Sequence, residues 1–131
     1  MRTLKFRAWE RDEPFEGIFM PGDDGHFYTT TSGNIGDWHT MDNVIVEQYT
    51  GLVDRHGKEI YEGDIAKIQS KPYIPDEYIV EGKPIIFMNG LFSIKKSDYV
   101  HIPIYLFFNA ENITHDIEVI GNIHENKELL K

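Results

Sequence analysis

Apolar residues along the chain come in short runs separated by polar, glycine and proline positions, and this pattern predicts strands rather than helices. The sharpest signal is Asn89-Gly90 between Ile85–Met88 and Leu91–Ile94: both residues accept the positive φ of a two-residue hairpin turn, so a hairpin is expected. Upstream, Glu81-Gly82-Lys83-Pro84 reads as a turn after Tyr78-Ile79-Val80, which would make a three-stranded meander. Val100 to Phe108 alternates, with Val100, Ile102, Ile104, Leu106 and Phe108 on one face, and predicts a strand whose Pro103 places it at an edge or a bulge.

The middle segment is equally patterned. Asp54-Arg55-His56-Gly57 has Asp where a type I turn begins and Gly where a left-handed residue closes it, so Val44–Leu52 should pair with Lys58–Tyr61. Glu62-Gly63-Asp64 then breaks the chain before the strand Ile65–Ile68, the entry pattern of small SH3-like barrels. Pro72 and Pro75 make Gln69–Asp76 a loop. Ile117–Ile123 reads as a last strand with a bulge at Gly121, and Glu125–Leu130 as one helical turn. An N-terminal strand, Thr3–Trp9, is expected to pair with Glu118–Ile123. The fold class expected is mainly β: short antiparallel strands, a small SH3-like barrel core and little helix, in a single domain spanning residues 1–131.

Composition narrows the chemistry. The 131 residues carry 13 Lys and Arg against 22 Asp and Glu, a formal charge of -9, and no cysteine. Disulfides, thiolate metal sites and cysteine nucleophiles are therefore excluded. Charges spread through the first twenty residues leave no apolar signal segment, and the longest apolar stretch is far below the roughly 20 residues a membrane helix needs. A cytoplasmic protein without a membrane association is expected, and the Asn112-Ile113-Thr114 sequon is set aside for that reason. The six histidines show no i, i+4 pair, and His115-Asp116 on a strand would face opposite ways, so they read as solvated loop residues rather than metal ligands. Glu59, Glu62 and Asp64 could form an acid–base pair or a magnesium site, but Asp64 suits a hydrogen bond to the Gly63 turn. The hydroxyls of Thr29–Gly33 lack a nucleophile elbow, and no phosphate-binding Gly-Lys-Ser or Gly-Lys-Thr occurs. No catalytic residue, metal or cofactor is assigned.

Small barrels also bind single-stranded nucleic acid by stacking bases on aromatics beside a positive groove. Lys5, Arg7 and Trp9 share one face of an extended segment, and with Tyr49, Arg55, Lys58 and Asp64 they form the candidate binding set. A charge of -9 opposes phosphate at long range, so nucleic acid ranks second to a protein partner.

Four blocks carry a family resemblance: Lys5-Phe6-Arg7-Ala8-Trp9, Gln48-Tyr49-Thr50-Gly51-Leu52, Asp54 through Ile65 reading DRHGKEIYEGDI, and Val119 through Asn126 reading VIGNIHEN with Leu129-Leu130. On these the chain resembles the YopX-like proteins of phages and prophages of Gram-positive bacteria. His56 stands where that family commonly has Asn, and Ala66 where it has a bulkier aliphatic, which argues against a special role for either. The resemblance implies a small, intracellular, phage-encoded protein and carries over no catalytic residues. The combined expectation is a noncatalytic phage accessory protein binding a host factor or a component of phage DNA metabolism. Aromatics on both faces of Val100–Phe108 add an expectation of homo-oligomers.

Overall fold

The computed structural model describes residues 5–14, 18–21, 27–30, 39–40, 44–107 and 114–131. His26, Thr31-Ser32-Gly33, Phe108, the Asn112-Ile113 part of the sequon, and Thr3-Leu4 of the expected first strand lie outside them. Two compact units are present, Met1–Phe6 with Glu47–Lys131, and Arg7–Val46.

The smaller unit is antiparallel. β1 (Phe6–Glu10), whose Phe6 belongs to the larger unit, turns back on β2 (Glu13–Pro14) in the register Trp9↔Pro14 and Glu10↔Glu13. Arg11 and Asp12 make that turn at φ 51° and 65°. β3 (Ile18–Pro21), β4 (Phe27–Thr30) and β5 (His39–Thr40) form a separate three-stranded sheet.

The larger unit opens with β6 (Val44–Val53), counted in it from Glu47, paired with β7 (Glu59–Tyr61) as Tyr49↔Tyr61 and Val53↔Glu59. The register slips between these pairs, where Gly51 takes φ 88°. The Thr50 hydroxyl makes good part of the interrupted ladder by donating to the Ile60 carbonyl at 2.7 Å. The Asp54–Gly57 turn forms as expected, with Gly57 at φ 81° donating to the Asp54 carbonyl at 3.0 Å.

β8 (Asp64–Ile68), β9 (Val80–Met88), β10 (Leu91–Lys95), β11 (His101–Pro103) and β12 (Ile117–Asn122) form one antiparallel sheet in the order β11-β10-β9-β8-β12. A three-strand return, a 3-10 turn at Ile104–Phe107 and a last strand beside the first give the strand order of an SH3-like barrel, and the sheet curls into a half-barrel. Its core is built from β-branched side chains, with Ile60, Ile68, Ile85, Ile94, Ile102, Ile104 and Ile117 all sealed from solvent. Each such side chain contributes roughly 1.5–3 kcal/mol by leaving water.

Three expectations are corrected. Glu81–Pro84 is not a turn, because β9 runs straight through it. Gly82, at φ 79°, absorbs a register shift opposite Ala66 and Lys67. Pro84 falls beyond the last β9–β10 pair, Ile85↔Ile94, where its missing N–H costs that ladder nothing. Val100–Phe108 is not one strand: it ends at Pro103, on the sheet edge as expected, and then tightens into the 3-10 turn. With three residues per turn, Ile104 is buried while Tyr105 and Leu106 face outward. Among the described residues the N-terminal strand does not pair with the C-terminal one. β12 is engaged by β8 on one side, while on the other the Asp54 turn bonds it through Arg55 N–H to the Ile117 carbonyl at 3.0 Å. Lys5 instead gives its carbonyl to Tyr49 N–H at 2.8 Å.

The Gly121 bulge, the Gly63 break and the short final turn, Lys127–Leu129, match expectation. Among the described residues no helix is long and apolar enough to cross a membrane.

Candidate functional site: an aromatic cleft beside a carboxylate clamp

Three acidic residues of the central block, Asp54, Glu62 and Asp64, accept backbone N–H groups. Asp54, 1% exposed, accepts His56 and Lys58 N–H at one oxygen, both at 2.9 Å, and Val119 N–H at the other, at 3.0 Å. It therefore closes the β6–β7 turn and ties it to β12. Glu62 accepts Gln48 N–H and Asp64 accepts Tyr61 N–H, each at 2.8 Å. Glu47 and His124 are both buried, with Oε2 and Nε2 3.0 Å apart. Gly63, at φ 85°, leaves the space that this carboxylate fills, since a Cβ there would overlap it. Asn122 Oδ1 accepts His124 and Glu125 N–H at 3.0 and 2.9 Å, while Asn126 Oδ1 packs against Gly121. Desolvated acceptors satisfied in this way hold turns in place.

A cleft of about 330 Å³ opens between the β8–β9 loop and the 3-10 turn. Tyr73, Ile74, Pro75, Tyr78, Leu106, Phe107 and Asp116 line it. Tyr78 meets Phe107 edge to face, centroids 6.0 Å apart and planes at 81°. Tyr73 is 68% exposed, and its hydroxyl donates to Asp116 Oδ1 at 2.6 Å. That bond, with burial and the Asp116 charge adding to it, raises the Tyr73 phenol above its ordinary value, against an opposing contribution from Arg55. Tyr105, on the same 3-10 turn, lines a second depression of about 270 Å³ with Thr50, Leu52, Phe87 and Leu91.

The family model described as YopX protein matches residues 21–131. This chain belongs to the YopX family. Its fold is also similar, over 100% of both chains, to the crystal structure of protein EF1440 from Enterococcus faecalis, at 27% sequence identity and a TM-score of 0.58. No curated protein matches it.

In this YopX chain two of the four blocks that carried the resemblance supply the clamp's Asp54, Glu62, Asp64 and His124 and a third supplies Gln48, with Glu47 just outside them, whereas the cleft is lined from residues 73–75, 78, 106–107 and 116, outside those blocks. The candidate binding set separates into local contacts. Lys5 Nζ lies 2.7 Å from Glu59 Oε2 and 5.6 Å from the Tyr49 ring centroid, and the bond to Glu59 raises its pKa. Tyr49 is buried and packs on Tyr61 at 5.5 Å, and burial raises its phenol. Arg7 lies over the buried Trp9 at 5.4 Å, on one face as alternation requires. Arg55 and Lys58 share the exposed β6–β7 turn, with Arg55 reaching Gln69 at 3.5 Å. Asp64 is buried at its turn. Lys5 is thus neutralised by an acid, and Glu59, Glu62 and Asp64 bond to different partners.

The expectation of solvated histidines fails at His124, because Glu47, 77 residues away, supplies the buried acceptor. His101 also differs, its Nε2 being buried without a hydrogen-bond partner. Sequence reasoning missed the cleft as well. Its one local signal was Pro72-Tyr73-Ile74-Pro75, aromatic and aliphatic residues held in a loop where burial within a strand is not available.

Proposed function

We propose that this YopX protein is a noncatalytic interaction module, a phage accessory protein of the host cytoplasm that receives a segment of a protein partner, a host factor or a component of phage DNA metabolism, in the Tyr73–Phe107 cleft. The observation that carries the reading is an open concavity walled by Tyr73, Tyr78 and Phe107, residue types enriched where proteins bind one another. The clamp supports it from the other side: carboxylates committed to backbone N–H groups serve turn geometry, not proton transfer.

A photo-crosslinking amino acid at Leu106, 48% exposed on the cleft, tests this against the same group at Glu128, an exposed position away from it. In nuclease-treated host lysate a discrete protein adduct is expected from Leu106 alone, lost on Tyr73→Ala. Equal labelling from both positions, or none from Leu106, overturns it.

A further inference from the structure

We propose that the cleft recognises an extended, proline-containing peptide carrying a lysine or arginine; the inference rests on the interaction reading above and names its ligand class. Three aromatic rings face one depression, and the perpendicular pair Tyr78 and Phe107 forms a corner rather than a flat wall. Corners of this kind suit a polyproline II segment, which presents a ridge of rings and pays little ordering entropy because its backbone is already extended. Pro75 and the half-exposed Leu106 add apolar wall without closing the opening.

The sign of the ligand's charge follows from the lining. Among the described residues that line the cleft, the one carboxylic acid is Asp116, with no lysine, arginine or histidine beside it in the lining, and it accepts the Tyr73 hydroxyl at 2.6 Å. Asp76 and Glu77, both exposed, head the short 3-10 turn that carries Tyr78 into the cleft. Two cations lie nearby without lining the cleft: Arg55, whose charge acts on the Tyr73 phenol and which reaches Gln69 at 3.5 Å, and Lys96, which donates to the Glu77 carbonyl at 2.6 Å. With the chain at -9 overall, a cationic side chain beside the prolines is attracted and an anionic one is repelled.

The test titrates the isotopically labelled full chain with three decapeptides of proline, having arginine, alanine or glutamate at the centre, and follows amide shifts by NMR. Expected is saturable binding of the arginine peptide below about 1 mM, with shifts centred on Tyr73, Tyr78 and Phe107. The glutamate peptide should bind at least about tenfold more weakly. In the Asp116→Asn variant, the preference for arginine over glutamate should shrink several-fold while the alanine peptide's affinity holds. Tyr73→Phe, which keeps the ring, should bind, and Tyr73→Ala should not. Absence of shifts at about 1 mM, shifts centred elsewhere, or equal affinity for arginine and glutamate peptides would overturn the proposal. If none of the peptides binds while Leu106 still crosslinks a protein specifically, the ligand class is wrong and the interaction reading stands. If that adduct is a second copy of this chain and dimerisation blocks peptide shifts, the occupant is the chain itself and the proposal fails.

Discussion

Asp54 does at one residue what a turn and an inter-strand tie would otherwise need several to do, because three backbone N–H groups converge on its carboxylate. Asp54→Ala leaves the buried Val119 N–H and the part-buried His56 and Lys58 N–H groups without this acceptor and should cost roughly 2–4 kcal/mol in urea denaturation, whereas Lys58→Ala, on the exposed side of the same turn, should change stability by less than about 0.5 kcal/mol. Gly63→Ala should be comparably damaging, since it combines positive φ with displacement of the buried Glu47 carboxylate from His124. The Tyr73 phenol is raised above 10.0 first by its bond to Asp116. Asp116→Ala should therefore lower its titration, read as the ultraviolet phenolate difference between chains with and without Tyr73→Phe. The linkage has a definite sign: the native state keeps this proton longer than the unfolded chain, so its stabilising contribution is complete below pH 10.0 and is lost as pH rises through the folded value. Half of Asp54's role was legible in sequence, because an Asp bonding two to four residues ahead is local chemistry. Its bond to Val119 was not, since nothing near Asp54 encodes a partner 65 residues on.

Turns that follow from one or two residues were read correctly. Asn89 and Gly90 take φ 55° and 79°, and the β9–β10 register Met88↔Leu91 follows at once. Gly90→Val should destabilise by roughly 1–2 kcal/mol, because a β-branched residue resists positive φ, while Asn89→Gly should stay within about 0.5 kcal/mol; chemical denaturation of both variants checks the pair. Gly82 misled for an instructive reason. A glycine before Lys-Pro looks like a turn, yet the same positive φ serves a bulge when a neighbouring strand is there to be bulged against. The Ile102–Leu106 alternation misled similarly: Pro103 ended the ladder, and Ile104 met the core from a tighter turn instead of a strand.

Across the whole chain, two compact units share a sequence read as one domain. If they unfold together, calorimetry should show one transition whose calorimetric and van't Hoff enthalpies agree; two resolved transitions would make them independent domains. The charge of -9 sets a further expectation at this scale, that single-stranded DNA shows no binding at low salt, since Lys5 is already paired with Glu59. The mainly β class, the Asn89-Gly90 and Asp54–Gly57 turns and the strands those turns join came from the chain alone, because each depends on φ preferences and side-chain alternation within about ten residues. Which strands become neighbours is a different matter. β12 beside β8, Glu47 against His124, and Tyr73 facing Phe107 and Asp116 across one cleft join residues dozens of positions apart. Such encounters are selected by the burial of a shared isoleucine core, a property of the folded arrangement that no local stretch of residues contains.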